Sequence, residues 1–146
     1  MKSNPNVYHV VLDNESVRVL HVSVPVGGKT TTHERPDNVI VALTDSRVRL
    51  TSADGKSADS ELAGDLATCF DTPRATAYRA TTEPDFHEPA GTIHDYDQIV
   101  IALGTGSVSV DVEGRTKRGW KRGDVLFIGR GMKHETKNTS GKPLSR

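Results

Sequence analysis

With 146 residues, 34% of them hydrophobic, the chain can bury one sizeable core or two small ones and is too short for a large multidomain enzyme. Its 19 Lys and Arg balance 19 Asp and Glu, so no global field draws it to nucleic acid or to an anionic membrane surface. Cys69 is the single cysteine, which excludes an intrachain disulfide framework; no apolar run has the length of a membrane span, and residues 1–6 lack the apolar stretch of a signal peptide, so a cytoplasmic protein is expected.

Along the chain, short runs rich in Val, Ile and Leu alternate with polar or glycine turns. No stretch keeps apolar residues at helical spacing for three turns, which predicts an all-β fold. The predicted strands cover residues 7–12, 17–24, 38–43, 47–51, 66–70, 98–103, 107–112, 125–128 and 134–138. Asp54-Gly55 and Glu113-Gly114 lie between strand-like runs and read as hairpin turns, because glycine supplies the positive φ that such turns need. His9 and His21 fall in alternating patterns with no motif around them and read as surface or packing residues, and Cys69 reads as a small buried hydrophobe. Tyr96 and Trp120 are candidates either for ligand contact at a barrel mouth or for aromatic packing. Residues 113–146 hold ten basic side chains against Glu113, Asp124 and Glu135, a bias that reads as solvated turns and strand faces rather than a nucleic-acid patch.

The two halves of the chain repeat one another. Asp37-Asn38-Val-Ile-Val-Ala-Leu43 aligns with Asp97-Gln98-Ile-Val-Ile-Ala-Leu103, and Gly64-Asp65 aligns with Gly123-Asp124. The expectation is two tandem units, 1–82 and 83–146, divided near residues 82–84 and forming either two barrels or one shared barrel.

The most informative segment runs Gly123-Asp-Val-Leu-Phe-Ile-Gly129-Arg-Gly131-Met-Lys-His134-Glu-Thr-Lys-Asn138. A glycine turn, a buried strand, a second glycine turn and a histidine follow at fixed intervals. The segment resembles the second motif of the cupin family, which reads Gly, five residues, Pro, one residue, Gly, two residues, His, three residues, Asn. Every fixed position matches except the proline, which is Gly129. The resemblance implies a double-stranded β-helix, an antiparallel jelly-roll barrel, here with two tandem cupin-like halves. It also implies one divalent transition metal, Zn, Fe, Mn, Ni or Cu, with His134 as a ligand.

The first cupin motif supplies two histidines spaced His-x-His and then a glutamate. Residues two apart on a strand share a face, so such a pair aims both imidazoles inward. In the second half this region reads Gly91-Thr92-Ile93-His94-Asp95-Tyr96-Asp97-Gln98, which puts His94 at the second histidine, Thr92 at the first and Gln98 at the glutamate. The implied metal ligands are His94, Gln98 and His134, a set without a carboxylate; His87, Asp95 or Asp97 could fill the gap, with His87 the best candidate. In the first half Arg35 and Asn38 stand near the positions of the second histidine and the glutamate, with His33 before them, so 1–82 is expected to be degenerate and structural and 83–146 to carry the site.

Only residues 139–146 follow Asn138, and they read as a polar turn, so the sheet edge beside the last motif needs a donor. The early strands, 7–12 and 17–24, are the candidates, from the same chain or exchanged in a homodimer. Two functions remain: a metal-dependent oxygenase or isomerase of a small molecule, or a non-catalytic barrel that binds a small molecule or serves as a scaffold. No general base is evident by spacing; Tyr96, Asp97 and Glu135 are the nearby groups able to move protons.

Overall fold

The computed structural model describes residues 4–31, 38–62, 70–71 and 74–146, the pair 70–71 by backbone alone. Among the described residues every regular element is a strand. In chain order these are β1 (Tyr8–Asp13), β2 (Arg18–Val22), β3 (Ser46–Thr51), β4 (Ser57–Leu62), β5 (Phe70–Asp71), β6 (Thr76–Ala77), β7 (Thr81–Thr82), β8 (His87–Thr92), β9 (Gln98–Ile101), β10 (Val108–Val112), β11 (Arg115–Lys117), β12 (Val125–Ile128), β13 (His134–Asn138) and β14 (Leu144–Ser145). No helix of the described chain is long and apolar enough to cross a membrane.

Strands β7 to β14 interleave into two layers. One is the four-stranded sheet β11-β10-β13-β8. In the other, β12 pairs with β9 and β14 pairs with β7, all antiparallel, and the Leu103 N–H donates to the Ser145 carbonyl at 3.0 Å to join the two pairs. The neighbour orders β8-β13-β10-β11 and β7-β14-β9-β12 are those of an eight-stranded jelly roll, the fold of cupins. The all-β barrel expected from the motifs is therefore present, and residues 81–145 suffice to build it.

The core lies between the layers. Val108, Val110 and Val112 of β10 point inward while Ser109 and Asp111 point out, the period-two alternation of a half-buried strand. They meet Ala102, Trp120, Ile128 and Leu144, with Val100 and Leu126 packed alongside. Trp120 is buried and its indole N–H donates to the Val108 carbonyl at 2.9 Å, so of its two readings packing is the one realised.

Two turns needed their glycines. Glu113 and Gly114 both have positive φ, 50° and 79°, as the tight β10–β11 hairpin demands. Gly123 has φ 86°, and a Cβ there would meet the Leu43 side chain at 3.0 Å.

The described N-terminal region forms three separate two-stranded pairs, β1-β2, β3-β4 and β5-β6. Three sequence expectations are corrected. Residues 38–43 form no strand despite their match to β9: Val39 and Ile40 are exposed, and the Leu43 carbonyl accepts from Arg122 Nε at 2.8 Å rather than from a ladder. Strand propensity expresses itself only where a partner surface exists. The segment that would pair with it by the repeat, 66–70, lies outside the described residues except for Phe70, as do Gly64-Asp65 and Cys69. Residues 139–146 are not merely a polar turn: Leu144 enters the core, and β14 continues the barrel. Strand β13 is flanked by β10 and β8, so the early strands do not close its edge; β1 and β2 pair with each other instead.

The β4 and β8 strands escaped the sequence reading because their side chains are mostly polar or small, Ser57–Leu62 reading SADSEL and His87–Thr92 reading HEPAGT. They are strands because β3 and β13 offer them ladders.

Candidate metal centre

Strand β13 sets the inner face of the site. His134, Thr136 and Asn138 are buried while Glu135 and Lys137 turn outward, so one regular strand delivers three polar groups into the barrel. Each must be satisfied there, because water does not reach it. Asn138 donates through Nδ2 to the carbonyls of Thr82, Glu83 and Lys142 at 2.9, 3.0 and 2.7 Å, and its Oδ1 accepts from Ser140. The motif asparagine thus ties the strand's end to the barrel's first and last segments. His134 Nδ1 lies 3.2 Å from the Met132 carbonyl. A carbonyl only accepts, so Nδ1 carries a proton, and Nε2 is the ring atom turned inward toward Glu88.

Opposite β13 lies β8, and their register is irregular: His134 pairs with Thr92, but Thr136 pairs with Glu88. Two residues on β13 therefore face four on β8. The surplus is taken up around Pro89, Ala90 and Gly91, where Gly91 has φ 86° and the Thr92 hydroxyl donates to the Pro89 carbonyl at 2.7 Å. A proline and a positive-φ glycine fit such a bulge and would disrupt a regular ladder. Because the surplus is two residues, inward parity is kept on both sides of it, and Glu88 faces the same interior as His94.

Glu88, His94 and His134 come together, with one donor atom from each lying within 4.8 Å of the other two. His134 Nε2 is 3.3 Å from Glu88 Oε2, and His94 Nε2 is 3.7 Å from Glu88 Oε1. The imidazole centroids are 4.9 Å apart and tilted by 41°. Metal–ligand bonds of about 2.1 Å place neighbouring donors about 3.0 to 3.4 Å apart for octahedral to tetrahedral angles. One of the two measured edges lies in that range and the other exceeds it by a few tenths of an ångström. Two imidazoles and one carboxylate on one side of a cation also suit a transition metal that keeps open positions. The donor set fits.

His94 sits outside the ladder, in the β8–β9 loop, and is held by three contacts. Its carbonyl accepts from the Gly131 N–H at 2.9 Å. Tyr96 stacks on its ring, with centroids 5.1 Å apart and planes 17° apart. Asp97 Oδ1 accepts from the Arg130 N–H at 2.8 Å, fastening the same loop to the turn before β13. That bond, then one from Ser16, holds the Asp97 carboxyl below the usual carboxylate range. Ile93, His94, Asp95, Arg130 and Gly131 line an open concavity that shares His94 with the site.

The other expected ligands stand elsewhere. His87, one residue from Glu88, has the opposite parity; its Nε2 lies 3.1 Å from Glu135 Oε1, and it is half exposed on the outer face. There Lys137 first, then His87, hold the Glu135 carboxyl below its ordinary range. Gln98 opens β9 opposite Ile128, in the other layer, and no hydrogen bond among the described residues joins its amide to the three donors. His33 and Arg35 lie outside the described residues. The carboxylate missing from the sequence reading is Glu88. Local spacing gave no signal for it, because His94 lies beyond the end of β8 and an irregularity in the β8–β13 register separates the two residues.

No model of a known protein family matches the chain. No curated protein matches it in sequence. Among solved structures it is similar to the cupin domain of Cnp3 from Schizosaccharomyces pombe, at 15% identity over 69% of this chain and 82% of that one, with a TM-score of 0.46. It is similar to a cupin 2 conserved barrel domain protein from Salinispora arenicola, at 19% identity over 80% and 85% of the two chains, with a TM-score of 0.38. A third similarity is to an ethanolamine utilization protein Q from Salmonella typhimurium, at 21% identity over 71% and 94%, with a TM-score of 0.34.

Proposed function

We propose that this jelly-roll protein is a cupin that binds one divalent transition metal through Glu88, His94 and His134 and acts on a small molecule entering through the concavity beside His94. The observation that carries the reading is the convergence of two imidazole nitrogens and one carboxylate within 4.8 Å on the barrel's inner face. Bound there, a metal would supply a Lewis acid or a dioxygen-binding centre, the chemistry of an isomerase or an oxygenase. The chain's own residues define the rest. The Met132 carbonyl fixes the His134 tautomer, Thr136 holds Glu88, and Tyr96 orients His94 at the open side. Among the proton-moving groups expected from sequence, Asp97 is committed to the Arg130 N–H and Glu135 faces outward, which leaves Tyr96 at the mouth.

A second reading has its own support. Glu88 lies within ion-pair distance of both imidazoles, at 3.3 and 3.7 Å, so the cluster also makes sense as a polar network within a non-catalytic binding barrel. Elemental analysis separates the two. Purified protein incubated in turn with Mn, Fe, Ni, Cu and Zn should retain near one equivalent of a metal and lose it in His134→Ala and Glu88→Ala; protein that takes up none of the five is the binding module.

The homodimer expected from sequence is kept as part of this proposal, since the separate β1-β2 pair exposes Val10, Val11 and Val22. A monomeric mass by light scattering at micromolar concentration would remove it.

A further inference from the structure

Glu88 is the one anionic donor of the cluster, so whatever fixes its carboxylate decides how a cation is held. Directly across the ladder from it stands Thr136, fully buried, whose hydroxyl donates to Glu88 Oε2 at 3.0 Å. The β-branched side chain is stiff about χ1, and β13 places it by the same alternation that places His134 two residues earlier. Ligand and partner are therefore positioned by one strand. Oε2 accepts from the hydroxyl and lies 3.3 Å from His134 Nε2, while Oε1 lies 3.7 Å from His94 Nε2.

We propose that Thr136 is the positioning residue of this centre: its hydroxyl, bonded to Oε2, fixes the rotation of the Glu88 carboxylate between the two imidazoles and so holds it to coordination through one oxygen. This rests on the metal reading above. One-oxygen coordination would leave a cation a further open position, whereas a carboxylate free to turn would close over it with both oxygens. The hydroxyl acts through hydrogen bonding and not through shape, so valine, its near-isostere, should fail where serine succeeds.

The experiment uses metal-free protein titrated with Zn(II) by calorimetry and with Co(II) by visible absorption, whose bands report coordination number. Melting of the metal-free forms checks that each variant folds. Thr136→Val should bind either metal roughly 10- to 100-fold more weakly, as loss of a metal ligand's hydrogen-bond partner does, and should shift the Co(II) bands. Thr136→Ser should restore affinity and spectrum together. Should the valine variant not fold, the pair Thr136→Ala and Thr136→Ser isolates the hydroxyl in the same way. Wild-type affinity and spectrum in the variants lacking the hydroxyl, or a serine variant as impaired as they are, would overturn the proposal while leaving the metal reading intact. Wild-type protein that binds neither metal would overturn both.

Discussion

Replacing Asn138 by alanine tests whether the motif asparagine is a structural tie. The amide has two N–H hydrogens shared among the carbonyls of Thr82, Glu83 and Lys142, and Asn138 is 1% exposed. Two independent bonds are therefore lost rather than three. A net hydrogen bond is worth about 0.5–1.5 kcal/mol, and a buried acceptor left alone costs about 1–3 kcal/mol. Ser140, nearer the surface, exchanges its lost acceptor for water. The sum is about 2–6 kcal/mol, and at about 2–4 °C per kcal/mol for a chain of this length the midpoint should fall by at least about 4 °C. Urea titration with thermal melting, both followed by circular dichroism, measures it. Asn138→Asp keeps size and the acceptor toward Ser140 but turns a carboxylate toward three carbonyl oxygens, so it should cost at least as much as alanine. A folded aspartate variant with wild-type stability, or an alanine variant within about 1 kcal/mol of wild type, would refute the donor argument.

Three further outcomes are expected. Glu88→Gln removes the only negative charge among the three donors while keeping their number, so metal retention after dialysis should fall well below that of wild type; equal retention would mean that Glu88 is not a ligand. Leu144→Ala should cost about 2–5 kcal/mol in urea titration, because Leu144 is 3% exposed between the layers, whereas an unaffected midpoint would show that the C-terminal strand does not complete the barrel. Asp97 is held below its ordinary value by the Arg130 N–H, so the bond is fully present above the unfolded value near pH 4 and is lost as pH falls through the lower folded value. Exchange protection of the Arg130 amide should decline below about pH 4 in wild type and be absent at neutral pH in Asp97→Ala; a flat profile in wild type would sever the loop-tethering role.

Period-two alternation over 107–112 needs no partner to be read and supported the β class, while the inward position of His134 was implied by the motif it stands in. The Gly123-to-Asn138 segment implied the barrel through its resemblance to the cupin motif. What alternation alone could not show was pairing. Residues 38–43 and β9 have nearly the same sequence, yet only β9 is a strand, since β12 offers it a ladder. Leu144 looked like an isolated apolar residue in a polar tail and became core only when β7 and Leu103 took up its strand. The site divides along the same line. His94 and His134 could be named from local spacing, but Glu88 became a candidate ligand only through a two-residue bulge on β8 and a hydrogen bond from Thr136, 48 positions away. Chemistry assembled across strands is decided by register, which is a property of two segments and is written in neither one alone.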